Sequence, residues 1–165
     1  MKIRRFSPGD ETALFYVYFS AIHEIAARDY TKEQIDAWAP ADLDQELWRN
    51  HMFKIRPFVV ELHDEIVGYA DVQENGYIDH FFVSGRNPRQ GVGALLMDRI
   101  HQEAKVLGLK EMTSDVSRTA QPFFAHYGFQ IAEQRYPVRR GVMIPNASMR
   151  KKLGNAECLL RGNAS

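Results

Sequence analysis

The chain has 165 residues, 45% of them hydrophobic, and carries 21 Lys plus Arg against 21 Asp plus Glu. That length and apolar content suit one domain with its own core and argue against disorder. Balanced charge gives no reason to expect nucleic acid, the single Cys158 excludes an internal disulfide, and no stretch resembles a signal peptide or a membrane span, so a cytoplasmic protein is expected.

Lys2–Phe6 reads as a short strand. Ser7-Pro8-Gly9-Asp10 reads as a helix start, with Ser7 as N-cap, Pro8 at the first helical position and the helix running to about Ala27. Thr31-Lys-Glu-Gln34 fits a capping box and opens a second helix through Trp38, which Pro40 ends. Residues 42–50 read as a third helical piece. Strands are predicted at 57–62 and 65–73, with a turn at His63-Asp64. Asn75-Gly76 is a hairpin signal, so Tyr77–Val83 is expected to pair antiparallel with the strand before it.

Residues 88–96, Pro-Arg-Gln-Gly-Val-Gly-Ala-Leu-Leu, follow that strand and open a long amphipathic pattern. Val92, Leu95, Leu96, Ile100, Ala104 and Leu107 keep a 3.6-residue period, and Gly108 closes the helix. A strand, a glycine loop and a helix start in that order make an anion site, because the first N–H groups of a helix lack internal partners and the dipole adds positive potential. The loop is neither a Rossmann fingerprint, since Leu96 stands where the third glycine would be, nor a P-loop, since Gly93 is followed by Ala-Leu. A plain glycine turn before a core helix is the alternative. A strand at 109–116, a short helix at 118–127, and a hairpin of 130–136 with 142–153 complete the chain. The order implies an α/β fold: a mixed, mostly antiparallel sheet flanked by helices, with a central βαβ unit at 77–116. Residues 1–153 form the expected domain, and 154–165 a loose tail.

Three segments carry a resemblance. They are Phe81-Phe82-Val83 with Gly91-Val92-Gly93-Ala94-Leu95-Leu96; Ala120-Gln-Pro-Phe-Phe-Ala-His-Tyr-Gly128-Phe129; and Tyr30-Thr-Lys-Glu-Gln-Ile-Asp-Ala-Trp-Ala39. Together they resemble the GNAT superfamily of N-acetyltransferases, the third segment being similar to one bacterial branch. The resemblance covers nearly the whole chain. It implies acetyl-CoA as acyl donor, held by Phe81, Phe82, Val83, Arg89, Gln90, Gly91, Val92, Gly93 and Ala94, with Ser117 and Phe124 along the pantetheine arm. It implies direct attack by the amine, with a backbone N–H of strand 77–83 facing the thioester carbonyl. Three positions depart from the family pattern. Pro88 replaces the first Gln/Arg, Ser117 replaces an Asn, and Phe124 replaces the Tyr that often protonates the leaving thiolate.

Acetyl transfer to an amine also needs a way to remove a proton. Asp79 and His80 are the candidates, expected on opposite faces of their strand, with His80 the better base near neutral pH. Ordinary packing is the alternative for both. Glu24, Tyr30 and Trp38 are candidates for lining the acceptor site. No metal is expected, because His51, His63, His101 and His126 lack ligand spacing and read as surface or capping residues. Arg135, Arg139, Arg140, Arg150, Lys151 and Lys152 make a basic hairpin, read as a solvated edge or as a contact for phosphate or an acidic acceptor. The expected activity is transfer of acetyl from acetyl-CoA to a primary amine on a small molecule or peptide. The alternative is an acyl-CoA-binding sensor or partner module with little catalysis. Edge-strand pairing would allow a homodimer.

Overall fold

The computed structural model describes residues 1–154. β1 (Lys2–Arg5), β2 (Phe58–Leu62), β3 (Glu65–Ala70) and β5 (Phe81–Val83) form one antiparallel sheet in the order β1-β2-β3-β5. β4 (Tyr77–Ile78), β6 (Glu111–Ser117), β10 (Asn146–Lys152) and β7 (Gln130–Arg135) form a second, in the order β4-β6-β10-β7. The β4–β6 pair is parallel, and α4 (Val92–Val106) lies between its strands in sequence. Of the tail expected at 154–165, residues 155–165 lie outside the described residues.

The two sheets part between β4 and β5, which are consecutive in the chain. The expected single strand at 77–83 is therefore two strands with different partners. The cause is Asp71. Its Oδ1 accepts the backbone N–H of both Asp79 (3.1 Å) and His80 (2.6 Å). Successive N–H groups of a strand point to opposite edges, so two aimed at one oxygen mark a break in the pleat. β5 keeps β3 on one edge: Ser84 N–H donates to Val67 C=O, and Asp71 N–H to His80 C=O. By alternation, the N–H groups of Phe81 and Val83 face the open edge at the split.

The β2–β3 turn at His63-Asp64 puts both residues at positive φ, 52° and 63°, which matches the right-handed twist of the hairpin. α4 buries Val92, Leu96, Met97, Ile100 and Ala104. It packs on β2 and β3 where Gly68 leaves room; a Cβ there would stand 2.6 Å from Val92 Cγ1.

On the other side lie α1 (Glu11–Ser20), α2 (Lys32–Trp38) and α3 (Gln45–Ile55). α1 starts three residues later than the Ser7 cap predicts. Gly9 sits at φ 104°, outside helical space, and Asp10 closes the turn by accepting the Ser7 N–H at 2.8 Å. α1 then runs into a π-turn, Ala21–Ile25, and a 3₁₀ turn, Ala26–Arg28. The Thr31–Gln34 capping box forms in both directions. α3 lies later than 42–50 because Asp44 caps it, accepting from Glu46 and Leu47, and Arg56 ends it at φ 44° before Pro57. After α5 (Gln121–His126), the predicted strand 142–153 is also divided. Its first part is β9 (Val142–Met143), which pairs with β8 (Val138–Arg139) around Arg140-Gly141; β10 begins after Pro145.

Candidate active site

A groove of about 480 Å³ runs along the first turn of α4, β5 and α5. The predicted cofactor residues Phe81, Phe82, Val83, Arg89, Gln90, Gly91, Val92, Gly93, Ala94, Ser117 and Phe124 all line it. Gly91 is the N-cap at φ 80°, and Arg89 is at φ 59°, so the loop coils left-handed twice before the helix begins. The free N–H groups of the first turn of α4 thus end in the groove, suited to an anion. The two glycines act differently. A Cβ on Gly91 would meet only Met1 Cε at 3.8 Å, so that position is fixed by its φ. A Cβ on Gly93 would stand 3.2 Å from the Phe123 ring, so that position is fixed by close packing. The space a side chain would take at Gly93 is that of Phe123.

A second cavity, about 360 Å³, opens on the other side of the split. Tyr18, Tyr30, Trp38, Tyr77, His80 and Phe82 give it aromatic walls; Asp79, Asp115, Arg135 and Arg139 give it charge. Trp38, Phe82 and Ser117 line both cavities, so the two meet at those residues. Tyr30 is fixed by two bonds: its hydroxyl donates to Pro145 C=O at 2.6 Å and accepts Arg118 N–H at 2.9 Å. Glu24 lies outside both cavities, exposed beside Gly85. The π-turn explains this: it directs Ala21, Ile22 and Ile25 toward the cofactor groove and leaves Glu24 on the surface.

Asp79 and His80 line the same cavity, contrary to the opposite faces that strand alternation predicts. The double hydrogen bond to Asp71 has removed that alternation. Asp79 Oδ2 is 2.6 Å from His51 Nε2. Burial would raise the Asp79 carboxyl; the His51 hydrogen bond and the nearby Arg139 charge hold it below the ordinary value. His80 reaches the cavity with part of its surface, yet its ring is packed among Tyr18, Trp48, Tyr69 and Phe82. That burial pushes its imidazole down to about 4. His80 is thus neutral at pH 7 and a weak base, not the stronger one its residue type suggests. Its Nδ1 is 2.9 Å from the Tyr69 hydroxyl.

His51 is the participant that sequence spacing did not reveal. It lies on α3, 28 residues before Asp79, and no short motif joins them. The other four histidines stay away from the site, His23 being bonded to Ala39 C=O at 2.7 Å. His101 is tied to Met97 C=O and Lys151, His63 occupies a turn, and His126 is exposed at the end of α5. Of the basic residues, Arg135 and Arg139 line the second cavity, while Arg150 pairs with Glu111. Arg135 is committed to Asp115 at 2.8 Å.

A family model described as "Acetyltransferase (GNAT) domain" matches residues 26–153. The uncharacterized N-acetyltransferase YafP of Escherichia coli (strain K12) is 35% identical over 153 residues, 92% of this chain and 96% of that protein. Among solved structures, a GCN5-related N-acetyltransferase from Rhodopseudomonas palustris superimposes with a TM-score of 0.88 at 26% identity, covering 92% of this chain and 95% of the other. The PaiA N-acetyltransferase of Thermoplasma acidophilum, solved in complex with coenzyme A, shares the fold at a TM-score of 0.70 and 17% identity, covering 92% and 98%. No helix among the described residues is long and apolar enough to cross a membrane. The chain belongs to the GNAT family of acetyltransferases, and it is an acetyl-CoA-dependent enzyme of that family.

Proposed function

We propose that the chain acetylates a primary amine, on a small molecule or a peptide, by direct attack of that amine on acetyl-CoA. The observation that carries this is the meeting of the two cavities at Trp38, Phe82 and Ser117. A thioester running down the glycine-loop groove arrives where an amine held near Asp79 can reach it. The coenzyme A complex of the PaiA enzyme supports the use of a groove of this fold for the nucleotide thioester. Residues 89–94 would hold the pyrophosphate, through the N–H groups of the α4 first turn and the Arg89 side chain.

The amine arrives as an ammonium ion. The Asp79 carboxylate attracts and orients it, and the proton passes to solvent through water held by that carboxylate. The freed lone pair attacks the carbonyl carbon, and the oxygen takes the negative charge. An N–H on the open edge of β5, from Phe81 or Val83, is suited to stabilise it. The C–S bond then breaks, and the sulfur leaves as thiolate. Phe124 can give it no proton, but a thiol pKa near 8.5 makes the thiolate a tolerable leaving group at neutral pH.

Phe124 and Pro88, where the family pattern has polar groups, favour a second reading: an acyl-CoA-binding module that turns over little. A panel of amines with acetyl-CoA and thiol detection separates them. Free thiol released only when an amine is present is the expected result. Tight acetyl-CoA binding with no amine-dependent release across the panel would favour the binding module.

A further inference from the structure

We propose that His51, Asp79 and His80 form a binding site for a divalent cation of the zinc class, on the inner wall of the acceptor-side cavity. One donor atom from each of the three residues lies within 4.8 Å of the other two. The donors of a tetrahedral zinc site stand about 3.3 Å apart, given zinc–ligand distances of about 2.0 Å. Shifts on the order of 1 Å would therefore gather them. Two imidazoles and one carboxylate suit zinc better than magnesium or calcium, which prefer oxygen. Three protein ligands leave a fourth position for water or another donor.

The supports of the site are already in place. Asp71 holds the backbone of both Asp79 and His80 through two N–H bonds to a single oxygen. The Tyr69 hydroxyl fixes the His80 ring through Nδ1, leaving Nε2 for coordination, and Tyr18 stacks on that ring at 5.6 Å. Such outer bonds are what orient histidine ligands in metal sites. His51 supplies the third donor from a separate element. Its side chain is 37% exposed and offers a route in from solvent. The 2.6 Å bond between His51 Nε2 and Asp79 Oδ2 spans the place the cation would take. Arg139, which lines the same cavity, opposes a cation, so affinity in the micromolar range is expected rather than that of a permanent structural zinc.

One consequence rests on the proposed function. If the acceptor amine approaches Asp79, a bound cation occupies its place, and zinc inhibits transfer in competition with the amine and not with acetyl-CoA. The test uses the full chain, stripped of metal. Calorimetry with Zn²⁺ and visible absorption with Co²⁺ report binding without reference to activity; a four-coordinate cobalt spectrum is expected. One ion per chain should bind. His51→Gln should weaken binding at least tenfold with an unchanged melting temperature, while His126→Gln, far from the site, should bind as wild type does. No uptake at micromolar metal, or equal affinity in His51→Gln, would overturn the site. Binding that is lost in His51→Gln but leaves acetyl transfer uninhibited would uphold the site and remove Asp79 from the amine's path.

Discussion

His80 is enclosed by four aromatic rings and protonates only near pH 4, so it is neutral throughout the range in which such an enzyme is assayed. An acidic limb in kcat/KM between pH 5 and 8 then belongs to another group, and it should persist in His80→Gln. Asp79→Asn should instead lower kcat/KM roughly 100- to 10,000-fold, the usual cost of losing a group that assists deprotonation. Near-wild-type rates in both variants would place the proton's path elsewhere. At the glycine loop, Gly93→Val drives a branched side chain into Phe123 and should sharply weaken acetyl-CoA binding in calorimetry while the fold persists. Gly91→Ala has open space but a left-handed backbone, and should cost about 1 kcal/mol in stability. Gly91 was legible in sequence because its left-handed backbone is a local demand of the helix start, whereas the packing of Gly93 on Phe123 of α5 was not. The His51–Asp79 bond was not, because only the packing of α3 against the split between the sheets brings the two residues together. The shift in His80 was equally hidden, since it comes from burial and not from residue type.

Under the proposed mechanism, the residues of the short helix α5 bear on how the thiolate leaves. Phe124 is 2% exposed and packs edge-on against Phe81 and Phe129, with ring centroids 5.5 and 5.1 Å away. Tyr127 packs on Phe123 at 5.0 Å and lies outside the lining of the groove. Tyr127→Phe should therefore leave kcat within a few-fold of wild type, and Phe124→Tyr should keep activity. A collapse of kcat in Tyr127→Phe with acetyl-CoA affinity preserved would make Tyr127 the acid. At this scale, elements set by neighbours in sequence were readable: the Thr31 capping box, the His63-Asp64 turn and the period of α4. Elements set by distant partners were misread. Ser7-Pro8 has the composition of a helix start, but the Asp10 carboxylate, shared with Arg4 and the Ser7 N–H, makes it a turn. Residues 77–83 have the composition of one strand, but Asp71 divides them.

The parting of the two sheets is the feature on which both cavities depend, and Asp71 is its pin. Burial pushes the Asp71 carboxyl up to about 6. Asp71→Ala leaves the Asp79 and His80 N–H groups without their acceptor and should cost on the order of 2–3 kcal/mol, with a large loss of kcat/KM. The raised value fixes the sign of the pH effect. Folded protein takes up this proton near pH 6, while the unfolded chain waits until near 3.8, so Asp71 adds stability as pH falls between them. Denaturant titrations should show the gap between wild type and Asp71→Ala widening from pH 7 to pH 4, by about 3 kcal/mol at most. A constant gap would mean that Asp71 is not the group that takes up the proton.

β10 is hydrogen-bonded on both sides, to β6 and to β7, yet it is the last strand in the described chain. The first sheet, by contrast, uses only residues 2–83. During synthesis from the N-terminus the two cavities therefore come into being at different times. The glycine loop and the strand before it can be in place while β6 and β7 still await the strand that joins them. The wall of the aromatic cavity formed by Asp115, Arg135 and Asn146 cannot close until β10 has been made. A growing chain thus acquires most of the glycine-loop groove before the aromatic cavity beside it is finished.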